Sequence, residues 1–591
     1  MRVKHVWVKG YRNLRETDFS VSERLVLIGE NNSGKSNVLK AITYPMSTGD
    51  EGPYVRSMSP RDLNDLDKEE YFAFLKEHIK DLVDQDVLPE LLKKFELIIP
   101  KIIIRLQFEV DRNSMFYFEK LCTKGENEEL TYELEFRYQI QDLNKLIERF
   151  KELMVASPNQ EFDVMQYQIN LLPASLFKSS IRVPGKGEPV TYDLLKNMKS
   201  YALIAERDGF SSTRKTVGSA AIVELLNRNI NDESKLKIED GYHQFFEQVK
   251  GSAKMEKVFN WPKYSIKYEN ADQFLGEISI LPNMPPMNRL LNSIQLGYAQ
   301  EPLSQQGLGY RNLVYLMAMI NALENDDETP FAALTVEEPE AHLSNENQKL
   351  LMGFLDATSK AAKNVQLMYS THNTNFLSKD SLDDIVVMNE GQGIALSTAM
   401  EKDDLLYLMR NPNMDLYKLL FSTNVMLVEG ISEELLIKSY LREYSNYLNN
   451  IEVLSFHKGY NKIIDLWMKI NSHSKRKIAV VRDYDNQPNA KEQTESRSIP
   501  GKVFVGTTEG YTLEDDIVNG NIDLLRSYFI DHLNWDIELS ATASEIANVW
   551  KSKKGETMAM IACEFGTEQF HNFSLPNHIN NAIKFLKGEP I

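Results

Sequence analysis

The eight residues Gly29–Ser36, GENNSGKS, constrain this 591-residue chain more than any other segment. They fit G-x-x-x-x-G-K-S/T in full. An apolar run, LVLIG, leads in, and a helical run, SNVLKAI, leads out. A strand, a glycine loop and a helix in that order make a phosphate cradle. Backbone N–H groups must wrap the phosphates, so Gly29 and Gly34 remove side-chain bulk around Asn31, Asn32 and Ser33. Lys35 is placed to neutralise β- and γ-phosphate charge, and Ser36 to offer a hydroxyl to Mg²⁺. The positive end of the following helix points at the same place.

A nucleotide loop needs an acidic partner on a neighbouring strand, and ALTVEEPEAHL supplies it. There an apolar strand ends in Glu337 and Glu338. The first carboxylate would hold Mg²⁺ through water, and the second would polarise the attacking water. Two further pieces fit. LSQQGLGYRNLVYL sets Ser304 and Gly307 just before a helix, and MYSTHNTNF ends a strand at His372, a position suited to sensing a γ-phosphate. In this order the segments resemble the ATPase heads of the ABC, SMC and RecF group, with counterparts of Walker A, signature, Walker B and switch histidine. The resemblance implies ATP as cofactor and a head-to-head arrangement in which Ser304 and Gly307 complete a partner's site. The chain departs from the group twice: Ser304-Gln305-Gln306-Gly307 stands for the usual Ser-Gly-Gly-Gln, and Glu337 for an Asp.

Farther on, NVMLVEGISEELLIKSYL delivers Glu429 at a strand end, with Gly430 allowing a tight turn and Glu433 four residues along. KIAVVRDYDN ends a second apolar strand in Asp483 and Asp485, and GYTLEDD adds Glu514 at another boundary. Hard oxygen ligands select Mg²⁺, Mn²⁺ or Ca²⁺. Several carboxylates converging from adjacent strand ends suit metal-assisted phosphodiester hydrolysis. Glu-Gly followed by Asp-x-Asp resembles the Toprim domain. The whole chain resembles the OLD (overcoming lysogenization defect) family, which includes the nuclease subunit of the Gabija antiphage system. That resemblance rests on EGISEE, VVRDYDN, TLEDD and KKGETMA. It implies an α/β fold: an ABC/SMC-like ATPase head with a helical dimerisation insert, then a Toprim α/β domain. The expected division is head at 1–159 and 291–410, insertion at 160–290, and Toprim at 411–591. A cleavage-supporting lysine is matched best by Lys554, with Lys553 next to it.

Composition limits the alternatives. Apolar residues at 42% and charged residues at 26% describe an ordinary globular chain. Cys122 and Cys563 are the only cysteines, too few for a disulfide framework or a zinc ribbon, so a primase is disfavoured and a cytoplasmic setting expected. Apolar runs such as FAALTV fall short of the ~20 residues that a membrane helix needs. A net charge of −18 opposes general nucleic-acid binding, but metal-holding carboxylates contribute to it, and basic clusters remain at Ser474–Lys477 and Lys551–Lys554. The leading expectation is an ATP-regulated, metal-dependent DNA endonuclease, and the family resemblance implies a role in antiphage defence as a homodimer or homotetramer. A helicase, or a retron reverse transcriptase with its msDNA, is a candidate companion. A Toprim ribonuclease and a non-cleaving repair ATPase remain as alternatives.

Overall fold

The computed structural model describes residues 1–591 except 47–57, 85–87, 113, 125–129, 157–161, 187–188, 204–229, 253–284, 286–296, 299, 325–328, 362–363, 374–375, 378, 411–413, 421, 445–450, 457–458 and 485–487. Among the described residues, the strands form three main sheets and one short hairpin. The first sheet is antiparallel and begins with Arg2–Tyr11 and Leu14–Ser20, joined by a turn at Arg12 and Asn13. Ile102–Glu109 and Leu130–Ile140 pair beside them, as their alternation predicts. Ile102, Ile104, Leu106 and Phe108 are buried along the first of these strands.

The second sheet carries the phosphate loop. Its order runs Gln392–Ala395, Ile385–Asn389, Leu25–Gly29, Val365–Thr371, Phe331–Glu337, Met198–Leu203. All neighbours are parallel except the first pair. Every residue of Leu25–Gly29 is buried, which is why that strand reads as a continuous apolar run rather than an alternating one. One apolar core lies between this sheet and the antiparallel sheet, and a second lies on its other face.

The third sheet is wholly parallel, in the order Glu452–Ser455, Asn424–Val428, Lys477–Arg482, Val503–Thr507. Separate cores cover its two faces. Leu466 and Ile470, from the Tyr460–Asn471 helix of this block, join the outer core of the second sheet. Polar ties support that junction: Asp404, on the Lys402–Arg410 helix, accepts from Lys469 at 2.5 Å and also from Lys462.

Among the described residues of the stretch 160–290, expected as a helical insertion, two strands belong to the sheets of the head. Phe177–Arg182 pairs with Leu130–Ile140, and Met198–Leu203 forms the edge of the phosphate-loop sheet. Both strands are short and carry polar residues at their second and third positions, so neither shows an apolar period. The helix Asp232–Ser252 lies in this stretch, whereas the expected helix GSAAIVELLNRNI falls almost wholly outside the described residues.

Candidate functional site

The phosphate loop is held on every side by contacts that leave no choice of residue at its glycines. Gly29 has φ 152°, and a Cβ there would meet the Met388 carbonyl oxygen at 2.4 Å. Gly34 has φ 111°, and its Cβ would press Leu14 at 2.8 Å. Asn31 and Asn32 are exposed, Asn32 with φ 63°, while Ser33 is buried. Lys35 Nζ donates to the Gly29 and Glu30 carbonyls at 3.0 and 2.7 Å. Burial pushes Lys35 down to about 8, against the pull of Glu338 and Glu30. Ser36 follows it in the first turn of the Lys35–Thr43 helix.

Neighbouring strand ends bring the acids and the histidine to this loop. Glu337 closes its strand and pairs with Lys40 of the loop's helix at 3.4 Å. Glu338 reaches His372 Nε2 at 3.2 Å. Burial lowers the His372 pKa, Lys35 adds to that, and Glu338 opposes it. Ser304 lies in a short 3-10 turn, Leu303–Gln305, and Gly307 directly precedes the Leu308–Glu324 helix. That helix packs tightly against the acidic turn, since a Cβ on Gly309 would meet the His342 carbonyl oxygen at 2.3 Å.

In the third sheet, Glu429, Glu433 and Asp483 line one cleft together with Arg482, Leu513 and His578. Glu429 and Asp483 follow the C-terminal ends of adjacent parallel strands, where such sheets place their ligands. Glu433 folds back over Gly430, where a Cβ would come within 2.9 Å of its carboxylate. Asp483 accepts the Leu513 N–H at 2.8 Å, which aims it at the start of the Leu513–Gly520 helix. Glu514, buried one residue on, accepts the Thr512 hydroxyl at 2.8 Å. The donor set suits a hard divalent cation. Glu429, however, pairs with Arg482 at 3.5 Å, and among the described residues no three His, Cys, Asp or Glu side chains converge to hold an ion. Asp485 falls outside the described residues. Lys554 begins the Lys554–Glu564 helix, and Lys553 lies over the Trp535 ring at 4.9 Å. Lys551, of the basic cluster Lys551–Lys554, holds both oxygens of Asp515 at 2.7 Å.

Other site residues also escape a sequence reading. Asn13 donates to the Asn32 carbonyl at 2.8 Å and accepts from Asn37 at 2.8 Å, while Arg12 bonds Asn37 at 3.0 Å. The only signal was a tight Arg-Asn turn between two strands, with Arg12 at φ 50°. On the far side, Gly391 N donates to the Ser33 carbonyl at 2.9 Å. Thr423 gives its hydroxyl to the Glu30 carboxylate, and Lys475 and Arg476 close a cavity of about 130 Å³ beside the loop. His578 is buried in the carboxylate cleft, where burial, and then Lys491, push it down to about 4.

A glycine loop at a strand-to-helix turn, flanked by strand-end acids and joined to a parallel sheet with its own strand-end carboxylates, defines a P-loop ATPase head coupled to a Toprim module. The family described as AAA ATPase domain matches residues 1–377, and the one described as Overcoming lysogenization defect protein-like, TOPRIM domain matches residues 420–485. The chain belongs to the AAA ATPase domain family and carries an OLD-like Toprim domain after it. It is similar to Endonuclease GajA of Bacillus cereus (strain HuB5-5), at 21% identity over 546 residues, covering 81% of this chain and 74% of that protein. Solved structures similar to it include an SMC head bound to the C-winged helix domain of ScpA. That match has 13% identity and TM-score 0.34, and covers 68% of this chain and 100% of that one. The recombination mediator RecF is another, with 12% identity and TM-score 0.29, covering 67% and 98%.

Proposed function

We propose that the chain is an ATP-regulated, divalent-metal-dependent DNA endonuclease that acts as a homo-oligomer in antiphage defence. The observation that carries this reading is the shared cleft of Glu429, Glu433 and Asp483, on a chain whose second sheet carries the phosphate loop. The similarity to an endonuclease supports it. In the head, Lys35 would bind the phosphates, and Ser36 and Glu337 would hold a magnesium ion. Glu338 draws a proton from the attacking water, and His372, whose pKa burial lowers, reports the γ-phosphate. Ser304 and Gly307 complete the site of a second copy. In the Toprim module, Glu429, Glu433 and Asp483 of the shared cleft, with Asp485 and Glu514, would supply the oxygen ligands of a bound ion. Bound ions, Mg²⁺ or Mn²⁺, would lend the positive charge that the attacking and leaving oxygens need. Lys554, at the start of its helix, would steady the charge that develops on the phosphate.

The test is nicking of supercoiled plasmid with Mg²⁺ or Mn²⁺, with and without ATP. The parent is expected to nick, and Asp483→Ala to leave the plasmid intact. Equal nicking by the two overturns the assignment of this cleft.

A further inference from the structure

The turn after the acidic strand carries a third carboxylate that none of these roles uses. Glu340 is only 8% exposed. One of its oxygens accepts the Thr371 hydroxyl, and that hydroxyl accepts the Asn373 N–H at 3.0 Å. Thr371 is fully buried and immediately precedes His372. A backbone bond runs alongside, from Glu338 N to the Ser370 carbonyl at 3.0 Å. Two neighbouring turns, Glu338–Glu340 and Thr371–Asn373, are thus laced together twice.

The backbone shows why the lacing matters. Glu338 has φ 44° and His342 has φ 65°, values that L-residues rarely adopt. Such conformations persist only where the surroundings over-determine them. Bonds from Ala341 N to the Glu338 carbonyl (3.0 Å) and from Leu343 N to the Glu340 carbonyl (3.1 Å) tighten the turn from within. Across to the histidine strand, the Glu340–Thr371 contact is the buried side-chain tie, beside the more exposed Glu338–His372 pair. Burial pushes the Glu340 carboxyl above its ordinary range, and the Thr371 hydroxyl draws it back.

We propose that Glu340 is a positioning residue of the nucleotide site: through Thr371 it clamps the turn bearing Glu338 to the turn bearing His372, and so sets where Glu338 points. The clamp rests on the reading of Glu338 as the group that activates water.

The experiment uses the full chain and compares Glu340→Ala, Glu340→Gln, Thr371→Val and, as reference, Glu338→Gln. ATP binding and steady-state hydrolysis are measured on each. Glu340→Ala is expected to lower kcat by about 100-fold, the scale of an ångström-sized misplacement. ATP affinity is expected to stay within about twofold, because the ground-state contacts are untouched. Glu340→Gln keeps an oxygen for the Thr371 hydroxyl and is expected to retain most activity, while Thr371→Val follows Glu340→Ala. Hydrolysis by Glu340→Ala at the parent rate overturns the clamp. So does a Glu340→Gln loss as deep as that of Ala, or a joint loss of binding and hydrolysis. Should Glu340→Ala fail to fold, Thr371→Val and Glu340→Gln decide. A fast Glu338→Gln sinks the reading of Glu338 and the clamp with it. A slow Glu338→Gln beside a fast Glu340→Ala sinks the clamp alone.

Discussion

Glu338 and His372 stand 3.2 Å apart because two strand-end turns are each bent into unusual backbone or fastened by buried hydrogen bonds. The left-handed φ of Glu338 costs on the order of 1–3 kcal/mol, a strain that native contacts must offset. Glu338→Gln keeps the shape and removes the base. It is expected to bind ATP normally and to hydrolyse it roughly 100-fold more slowly, or worse, as single-turnover phosphate release would measure. At this scale the sequence was legible where a motif fixes both residue type and spacing, as at Gly29, Gly34 and Lys35. Asn13 and Glu340 were hidden because each acts through a partner remote in sequence, Asn32 and Thr371, and pairing at such range leaves no local pattern.

Among the elements, the buried parallel strands announced themselves as unbroken apolar runs: LVLIG, FAALTV, NVMLV and KIAVV are all strands. Met198–Leu203 did not, because it is the edge strand of its sheet among the described residues and only its two end residues are buried. Helix contacts at the junction of head and Toprim were likewise unreadable, although they join the two units. Asp404 there is 2% exposed. Burial raises its pKa, but hydrogen bonds from Lys462 and Lys469 outweigh that and hold it at about 2. A carboxylate held below its unfolded value of about 3.9 stabilises the fold above that value and ceases to do so as pH falls through its folded value. Asp404→Ala is therefore expected to lower stability by about 1–3 kcal/mol at neutral pH. The gap between parent and variant should narrow as the pH drops below 4 towards 2, and denaturant melts across that range measure it.

At the scale of the molecule, the phosphate loop is also a contact surface of the Toprim module. Lys35 rests on the Glu30 carbonyl, and the Glu30 side chain is held by Thr423, just before the strand that leads to Glu429. Were Lys35 to turn to a phosphate, the Glu30 carbonyl would lose that donor, and the Glu30–Thr423 contact is the path by which the proposed ATP control would reach the Toprim module. Thr423→Val is expected to leave ATP hydrolysis near the parent rate. It should shrink the effect of ATP on plasmid nicking by roughly fivefold, which nicking rates with and without nucleotide would show. An unchanged ATP effect would place the coupling elsewhere.

Gly391 has φ 82°, a Cβ on it would strike the Asn13 carbonyl oxygen at 2.1 Å, and its N–H holds Ser33. Three segments far apart in the chain therefore meet at an atom that is not there. In kindred sequences known only as text, the residue found at this place becomes a gauge: anything bulkier than hydrogen announces a remodelled cradle, even where the eight-letter motif is intact.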